Sequence, residues 1–245
     1  MINIFIAIDN NYLGKWRHVY NSIKANTKEE IQFNIICEKD VKILPEEKNI
    51  KVIHVLPVML QFKTYQYKQT RALYLRWLIP DLCRGDKAIY LDIDLVVTAD
   101  IKELFDIDLK DNLIAAVPSY YHETIDQAQI SQRGTYGGKE NNYLSGQLLI
   151  NCKLWREYKI LNELMKFVCL YDTLDETALS AVCKGHVHEL DINWCYPASH
   201  LSETKTDKKI KYKYDMDKIK IWHWPGTAKP WLEKTLNKEV YERYI

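Results

Sequence analysis

Ala88-Ile89-Tyr90-Leu91-Asp92-Ile93-Asp94-Leu95-Val96-Val97 is the stretch on which the reading of this chain turns. Four apolar residues run directly into two carboxylates, and three more apolar residues follow. The first run, from Lys87 to Leu91, reads as a buried strand, and open α/β sheets gather ligands at the carboxyl ends of such strands. If the strand stays regular, Asp92 and Asp94 share a face; a turn at its end would also bring both to one ion. Two carboxylates at the boundary of a core are costly without a counter-charge, which points to a divalent cation. Taken alone, D-x-D is also ordinary solvated turn chemistry, so the rest of the chain has to decide.

Outward from this stretch, short apolar runs alternate with longer amphipathic ones. Strands are predicted over 2–8, 31–37, 51–55, 113–117, 146–151 and 186–190. Helices are predicted over 12–26, 70–83, 101–105, 153–171 and 175–183. In the second of these, Leu73, Trp77 and Leu78 make an apolar side and Pro80 marks a break. The alternation predicts an α/β fold around a largely parallel sheet. Residues 120–142 are polar, contain Gly134, Gly137 and Gly138, and read as a long functional loop. Residues 205–220 read as a charged connection.

The bulk figures exclude several classes. With 245 residues, 47% hydrophobic, the chain can bury a large core and is not disordered. It carries 34 basic and 33 acidic residues, so nothing draws it to nucleic acid or to an anionic membrane surface. The apolar start, Met1 to Ile8, lacks a basic flank and is too short for a signal peptide. No later stretch approaches the roughly 20 apolar residues of a membrane helix, which still permits peripheral membrane association. Six scattered cysteines without a C-x-x-C pair predict reduced thiols and a cytoplasmic setting.

The second informative stretch is His223-Trp224-Pro225-Gly226-Thr227-Ala228-Lys229-Pro230-Trp231. His223 ends a short apolar strand. Gly226 permits close backbone approach to a ligand, and Pro225 and Pro230 stiffen the loop. Lys229 is a cation suited to a diphosphate oxygen. Paired carboxylates suit Mg²⁺ or Mn²⁺, and an added imidazole tilts the choice toward Mn²⁺. The plainer reading is an aromatic loop with a core histidine and a solvent lysine. Near the N-terminus, Asp9-Asn10-Asn11-Tyr12 follows the first strand and reads as a turn. Its aromatic ring and acceptor are also the chemistry a uracil base needs.

Tyr90 to Val97, together with the H-x-x-G-x-x-K-P-W pattern from His223 to Trp231, resembles glycosyltransferase family 8. That family includes bacterial lipopolysaccharide α-galactosyl- and α-glucosyltransferases and glycogenin. The likeness runs from Ile2 to about Trp231. It implies a GT-A fold, a Rossmann-like nucleotide-binding mixed sheet flanked by helices, which uses Mn²⁺ and transfers sugar with retention. It implies one domain over 1–245, with a nucleotide- and metal-binding half (1–118) and a donor-sugar and acceptor half (119–245). By position, Asp92, Asp94 and His223 match the metal ligands, and Gly226 and Lys229 match contacts to the donor diphosphate. Ala7, Asp9, Asn11 and Tyr12 match the nucleotide loop, with Asp9 on the uracil edge, Asn11 near the ribose and Tyr12 stacked on the base. Ile93 lies within the metal motif on the donor side. Arg76 matches an arginine that contacts donor sugar and phosphate, although a solvated helix arginine is the plainer reading.

Asp175-Glu176 matches an acidic pair bordering the donor sugar, where the second position is often glutamine. The same pair could cap a helix through Asp175 and complement its dipole through Glu176. By chemistry Glu176 is also a candidate nucleophile, with sugar positioning or oxocarbenium stabilisation as other roles. Two departures stand out: Ser119 replaces an aspartate and Leu144 an asparagine, both of which in the family touch donor-sugar hydroxyls. The expected function is therefore a Mn²⁺-dependent hexosyltransferase using a UDP-sugar and a carbohydrate, glycolipid or other hydroxyl acceptor, with the sugar open. The acceptor site is placed on 57–70 (Gln61, Tyr65, Tyr67, Lys68) and on 119–142. A nucleotide-sugar hydrolase or nucleotide-sugar-binding protein on the same fold is the alternative. A metal-dependent nucleotidyltransferase would want a glycine-rich basic loop near the N-terminus, which Asp9-Asn10-Asn11-Tyr12 is not.

Overall fold

The isoleucine-rich start of the chain forms β1 (Ile2–Ala7), buried at every position except Asn3. A computed structural model describes residues 1–45, 47–56, 71–132, 136–171, 173–199 and 213–245. After β1 come α1 (Trp16–Asn26), β2 (Ile31–Glu38), β3 (Ile50–Val55), a 3₁₀ segment (Arg71–Leu78) and α2 (Ile79–Leu82). Then follow β4 (Lys87–Leu91), β5 (Leu95–Val97), α3 (Lys102–Phe105), β6 (Ile114–Ala116), α4 (Ile125–Gln132) and β7 (Gln147–Asn151). The remainder is α5 (Cys152–Glu157), α6 (Ile160–Leu170), α7 (Asp175–Val182), β8 (Val187–Glu189), β9 (Tyr196–Pro197), β10 (Ile221–His223) and α8 (Lys238–Glu242).

Seven strands form one sheet in the order β3-β2-β1-β4-β7-β6-β8. The first four are mutually parallel and β6 is parallel to β8, while β7 runs antiparallel to both β4 and β6. Helices cover both faces, which is why the central strands are apolar throughout instead of alternating. Ile89 and Leu91 of β4 join one core with Ile4, Ile6 and the α1 residues Trp16, Val19, Tyr20 and Ile23. Ala88 and Tyr90 join the other, with Trp77, Leu164 and Leu179. The α1 spacing is the i, i+3, i+4, i+7 pattern of one helix face, and each such side chain contributes about 1.5–3 kcal/mol by burial.

Two pairings position the site. Because β7 is antiparallel to β4, its first residue sits beside the last of β4: Leu91 pairs with Gln147, and the Asp92 amide donates to the Gly146 carbonyl at 2.7 Å. A second, three-stranded sheet has the order β5-β10-β9. There β10 runs antiparallel to β5, pairing His223 with Leu95, and the Trp224 amide donates to the Asp94 carbonyl at 2.9 Å. Two segments distant in sequence, one before β7 and one at the end of β10, are thereby tied to the two sides of the carboxylate turn.

Several expectations change. The helix expected over 12–26 begins at Trp16, because Asp9 caps a 3₁₀ turn at Asn10–Tyr12 and Gly14 follows with φ +81°. Most of the helix expected over 70–83 is 3₁₀, over Arg71–Leu78, and only Ile79–Leu82 is α-helical, with Pro80 in its first turn. Residues 120–142 contain α4, a helix announced only weakly, since Ile125 and Ala128 are its buried apolar contacts among the described side chains. The segment 153–171 is two helices, parted at Lys159, which adopts φ +54°. Gln61, Tyr65, Tyr67 and Lys68 lie outside the described residues, as do residues 205–212 of the expected charged connection. All six cysteines are free thiols, five of them buried. Among the described residues no helix is long and apolar enough to cross a membrane.

Candidate active site

The chain leaves β4 at Leu91 and turns before β5 at Leu95, so Asp92, Ile93 and Asp94 occupy a turn at the carboxyl end of a central parallel strand. Of the two geometries open to the pair, the turn is realised. Ligand atoms of Asp92, Asp94 and His223 all lie within 4.8 Å of one another. His223 Nε2 is 3.2 Å from Asp94 Oδ1 and 3.8 Å from Asp92 Oδ2, while its Nδ1 faces Cys195 Sγ at 3.5 Å. Asp94 also pairs with Lys229 through its other oxygen.

The charges are strongly biased by this packing. Burial alone would push the Asp94 carboxyl up, but His223 and Lys229 outweigh it and hold the group well below the usual carboxylate range. Burial would lower His223, and Asp94 overrides it, so the imidazole is held well above its ordinary value. Asp92 stays raised, because its burial outweighs the opposing Arg76. Two carboxylates and an imidazole around one point are a fitting donor set for Mn²⁺ or Mg²⁺.

Gly146 is a part of this site that the sequence reading passed over. A Cβ built there would meet His223 Cε1 at 2.5 Å and Asp92 Oδ2 at 3.0 Å, so any side chain would enter the triad. The available signal was a glycine standing immediately before an apolar strand, which by itself is common.

Arg76 lies beneath the turn and is 3% exposed, which excludes the solvated reading. It pairs with Asp92 at 3.1 Å and Asp175 at 3.3 Å, donates to the Ser145 carbonyl at 2.5 Å, and stacks on Tyr90 at 4.4 Å. The Tyr90 hydroxyl donates to Asp92 at 2.5 Å. Asp175 is not a helix cap: Leu174 holds that position, and the Asp175 carboxylate turns inward to Arg76 and to the Ser145 hydroxyl at 3.1 Å. Glu176, in the same first turn, accepts from Asn142 Nδ2 at 3.2 Å and from the Ser145 amide at 3.4 Å. Burial, then the neighbouring Asp175, raise its carboxyl to about 7.

Two cavities meet at the carboxylate turn. The smaller, of about 130 Å³, is bordered by Ala7, Asp9, Tyr12, Arg76, Ile93 and Lys229 as well as by Asp92 and Asp94. The larger, of about 620 Å³, adds Asn11, Glu176, His223 and Gly226. Gly226 has φ +75°, a conformation that favours glycine. Every candidate for the donor and metal site therefore borders one cavity or both, except Asp175, whose carboxylate bonds the Ser145 hydroxyl. Asp9 accepts from the Asn11 amide at 2.9 Å, so the turn reading of that loop holds. Tyr12 packs edge-on against Trp231 with centroids 5.6 Å apart.

A mixed α/β sheet carrying an Asp-x-Asp turn on its central strand, answered by a C-terminal histidine and lysine, defines a glycosyltransferase of the GT-A fold. The chain belongs to glycosyl transferase family 8, whose model matches residues 3–235. General stress protein A of Bacillus subtilis is 26% identical over 274 residues, covering 100% of this chain and 93% of that protein. Glycosyltransferase GlyB of Streptococcus pneumoniae is 26% identical over 251 residues, and there the match covers 94% of this chain but 57% of the relative. Among solved structures, the galactosyltransferase LgtC in complex with donor and acceptor sugar analogues superposes with a TM-score of 0.80 at 24% identity, over 99% of this chain and 95% of that one.

Proposed function

We infer that this glycosyltransferase is a retaining, Mn²⁺-dependent enzyme that moves a hexose or related sugar from a UDP-sugar to a hydroxyl of a glycan or lipid-linked acceptor. The observation that carries the reading is the meeting of Asp92, Asp94, His223 and Lys229 at the junction of the two cavities. Asp92, Asp94 and His223 would hold the cation, which when bound supplies charge neutralisation for a diphosphate leaving group. Lys229 reaches the same place and would bind a phosphate oxygen there. The smaller cavity suits the nucleoside: Tyr12 offers a stacking face braced by Trp231, and Asp9 an acceptor. The larger suits the sugar and the incoming hydroxyl.

Arg76 pairs with Asp92 and Asp175 from below and gives the two carboxylates one shared positive charge. Glu176 borders the sugar cavity with both oxygens already hydrogen-bonded and, near neutral pH, with part of its population protonated. That favours positioning the sugar over attacking it, because an attacking carboxylate must be ionised. Residues of both halves, 1–118 and 119–245, border the larger cavity, which supports treating the chain as one catalytic unit. The five buried free thiols favour a reducing, cytoplasmic setting, with any membrane visit peripheral.

The test is thermal stabilisation by UDP, GDP and ADP with and without Mn²⁺, followed by turnover of UDP-sugars with and without added acceptors. The expected result is stabilisation specific to UDP and metal, with transfer to an acceptor exceeding hydrolysis. Turnover that no acceptor accelerates would instead mark a hydrolase.

A further inference from the structure

The larger cavity is lined by two unlike groups. Asp92, Asp94, His223 and Lys229 stand at the turn; Leu144, Tyr120 and Tyr121 form an aliphatic and aromatic wall. Tyr120 and Tyr121 pack edge to face with centroids 4.3 Å apart, and Leu144 belongs to the same core cluster as Tyr120. The two serine hydroxyls beside this wall are engaged by the protein itself, and the Tyr120 hydroxyl is buried away from the cavity surface. Ser119 Oγ accepts from the amides of Tyr121 at 3.4 Å and His122 at 3.3 Å, and Ser145 Oγ donates to Asp175 at 3.1 Å.

Glu176 differs, because each of its oxygens takes one described hydrogen bond and a carboxylate oxygen has room for a second. The wall thus asks for two things close together: apolar surface for Leu144 and the tyrosine pair, and a donor for Glu176. A sugar hydroxyl pressed onto Leu144 would lose its water without gaining a partner. A methyl there gains by burial. An acetamido substituent carries both a methyl and an N–H on one short planar group. A 6-deoxy sugar brings the methyl without the donor.

Resting on the reading of this cavity as the donor-sugar site, we propose that the sugar transferred is an N-acetylhexosamine, its acetamido methyl seated on Leu144 and the Tyr120–Tyr121 pair and its amide N–H donated to Glu176. Leu144 is then the residue that sets donor choice.

The experiment uses the full chain with Mn²⁺ and compares UDP, UDP-N-acetylglucosamine, UDP-N-acetylgalactosamine, UDP-glucose, UDP-galactose and a UDP-6-deoxyhexose. At least one N-acetylated donor should show kcat/KM for donor turnover about tenfold to a hundredfold above its unsubstituted hexose, the discrimination available to one group in a pocket. Saturation-transfer NMR should place the strongest effect on its acetyl methyl. Leu144→Asn should bring the two donors to within about twofold, while the similarly sized Leu144→Met keeps the preference. Equal or better use of the hexoses or the 6-deoxyhexose by the unmodified chain overturns the proposal, as does an unchanged preference in Leu144→Asn. Failure to bind UDP itself is a separate outcome, which removes the donor reading and the sugar assignment with it.

Discussion

Two acidic pairs flank Arg76, and the molecule treats them in opposite ways. Asp92 and Asp94 sit on a turn after a strand, where Arg76, His223 and Lys229 converge on them. Asp175 and Glu176 open a helix, where Arg76 pairs with Asp175 while Glu176 takes its described hydrogen bonds from an amide side chain and a backbone N–H. The cationic neighbours hold Asp94 low, whereas burial leaves Glu176 raised to about 7. Similar carboxylates thus become a group held ionised in one pair, Asp94, and a group poised near neutrality in the other, Glu176. Environment, and not residue type, assigns the roles.

The largest effect should come from removing the ionised ligand. Asp94→Ala is expected to abolish Mn²⁺-dependent UDP binding and sugar transfer, and calorimetry showing unchanged metal-dependent affinity would break the comparison at its stronger end. Arg76→Met tests whether one cation serves both pairs. It leaves the buried Asp175 and the half-buried Asp92 without the guanidinium they share and should cost about 3–5 kcal/mol in urea unfolding. A loss under about 1 kcal/mol, ordinary for an exposed pair, would mean that Arg76 is not shared in this way.

Glu176→Gln sharpens the other end through pH. Native Glu176 keeps its proton up to about 7, against an ordinary value of 4.5, so between those limits the folded state holds a proton that the unfolded state has released. Stability from this group is therefore fully present below pH 4.5 and lost as the pH rises through about 7. The loss is about 3 kcal/mol at 1.36 kcal/mol per pH unit. Denaturant melts from pH 4.5 to 8 should show this slope in the wild type and lack it in Glu176→Gln. Parallel curves would remove the contrast. The smallest effect is expected at Gly146→Ala, whose methyl would press on His223 and Asp92 while the fold survives. Mn²⁺ affinity, followed by thermal shift, should weaken about tenfold to a hundredfold, the range for groups that orient metal ligands. An unchanged affinity would show that the triad has room the geometry denies.

Much of this was readable in the residues. The apolar runs 2–8, 31–37 and 87–91 became central strands because helices cover both sheet faces, leaving no polar side to disguise them. The Asp-x-Asp turn and the histidine–lysine loop were legible as chemistry because few other roles suit those residue types at those spacings. Less was readable where packing overrode local preference. Arg76 could be read as a donor contact or as a solvated helix arginine, and burial decides against the second, because four acceptors and an aromatic face compensate its charge. Residues 125–132 carry too little apolar signal to announce α4. Asp175 could be read as a donor-site acid or as a cap, and only packing decides against the cap, since Leu174 holds that position and the carboxylate pairs with Arg76.

By itself the sequence determined an α/β chain of family 8 type, its strand-end carboxylates and the C-terminal histidine and lysine, since periodicity and residue chemistry are local properties. Only the tertiary structure decided that Asp92 and Asp94 lie on a turn, that β10 pairs with β5 to bring His223 to Asp94, and that antiparallel β7 delivers Gly146 to both. Those are consequences of strand register between distant segments, and register is set by how the whole core packs.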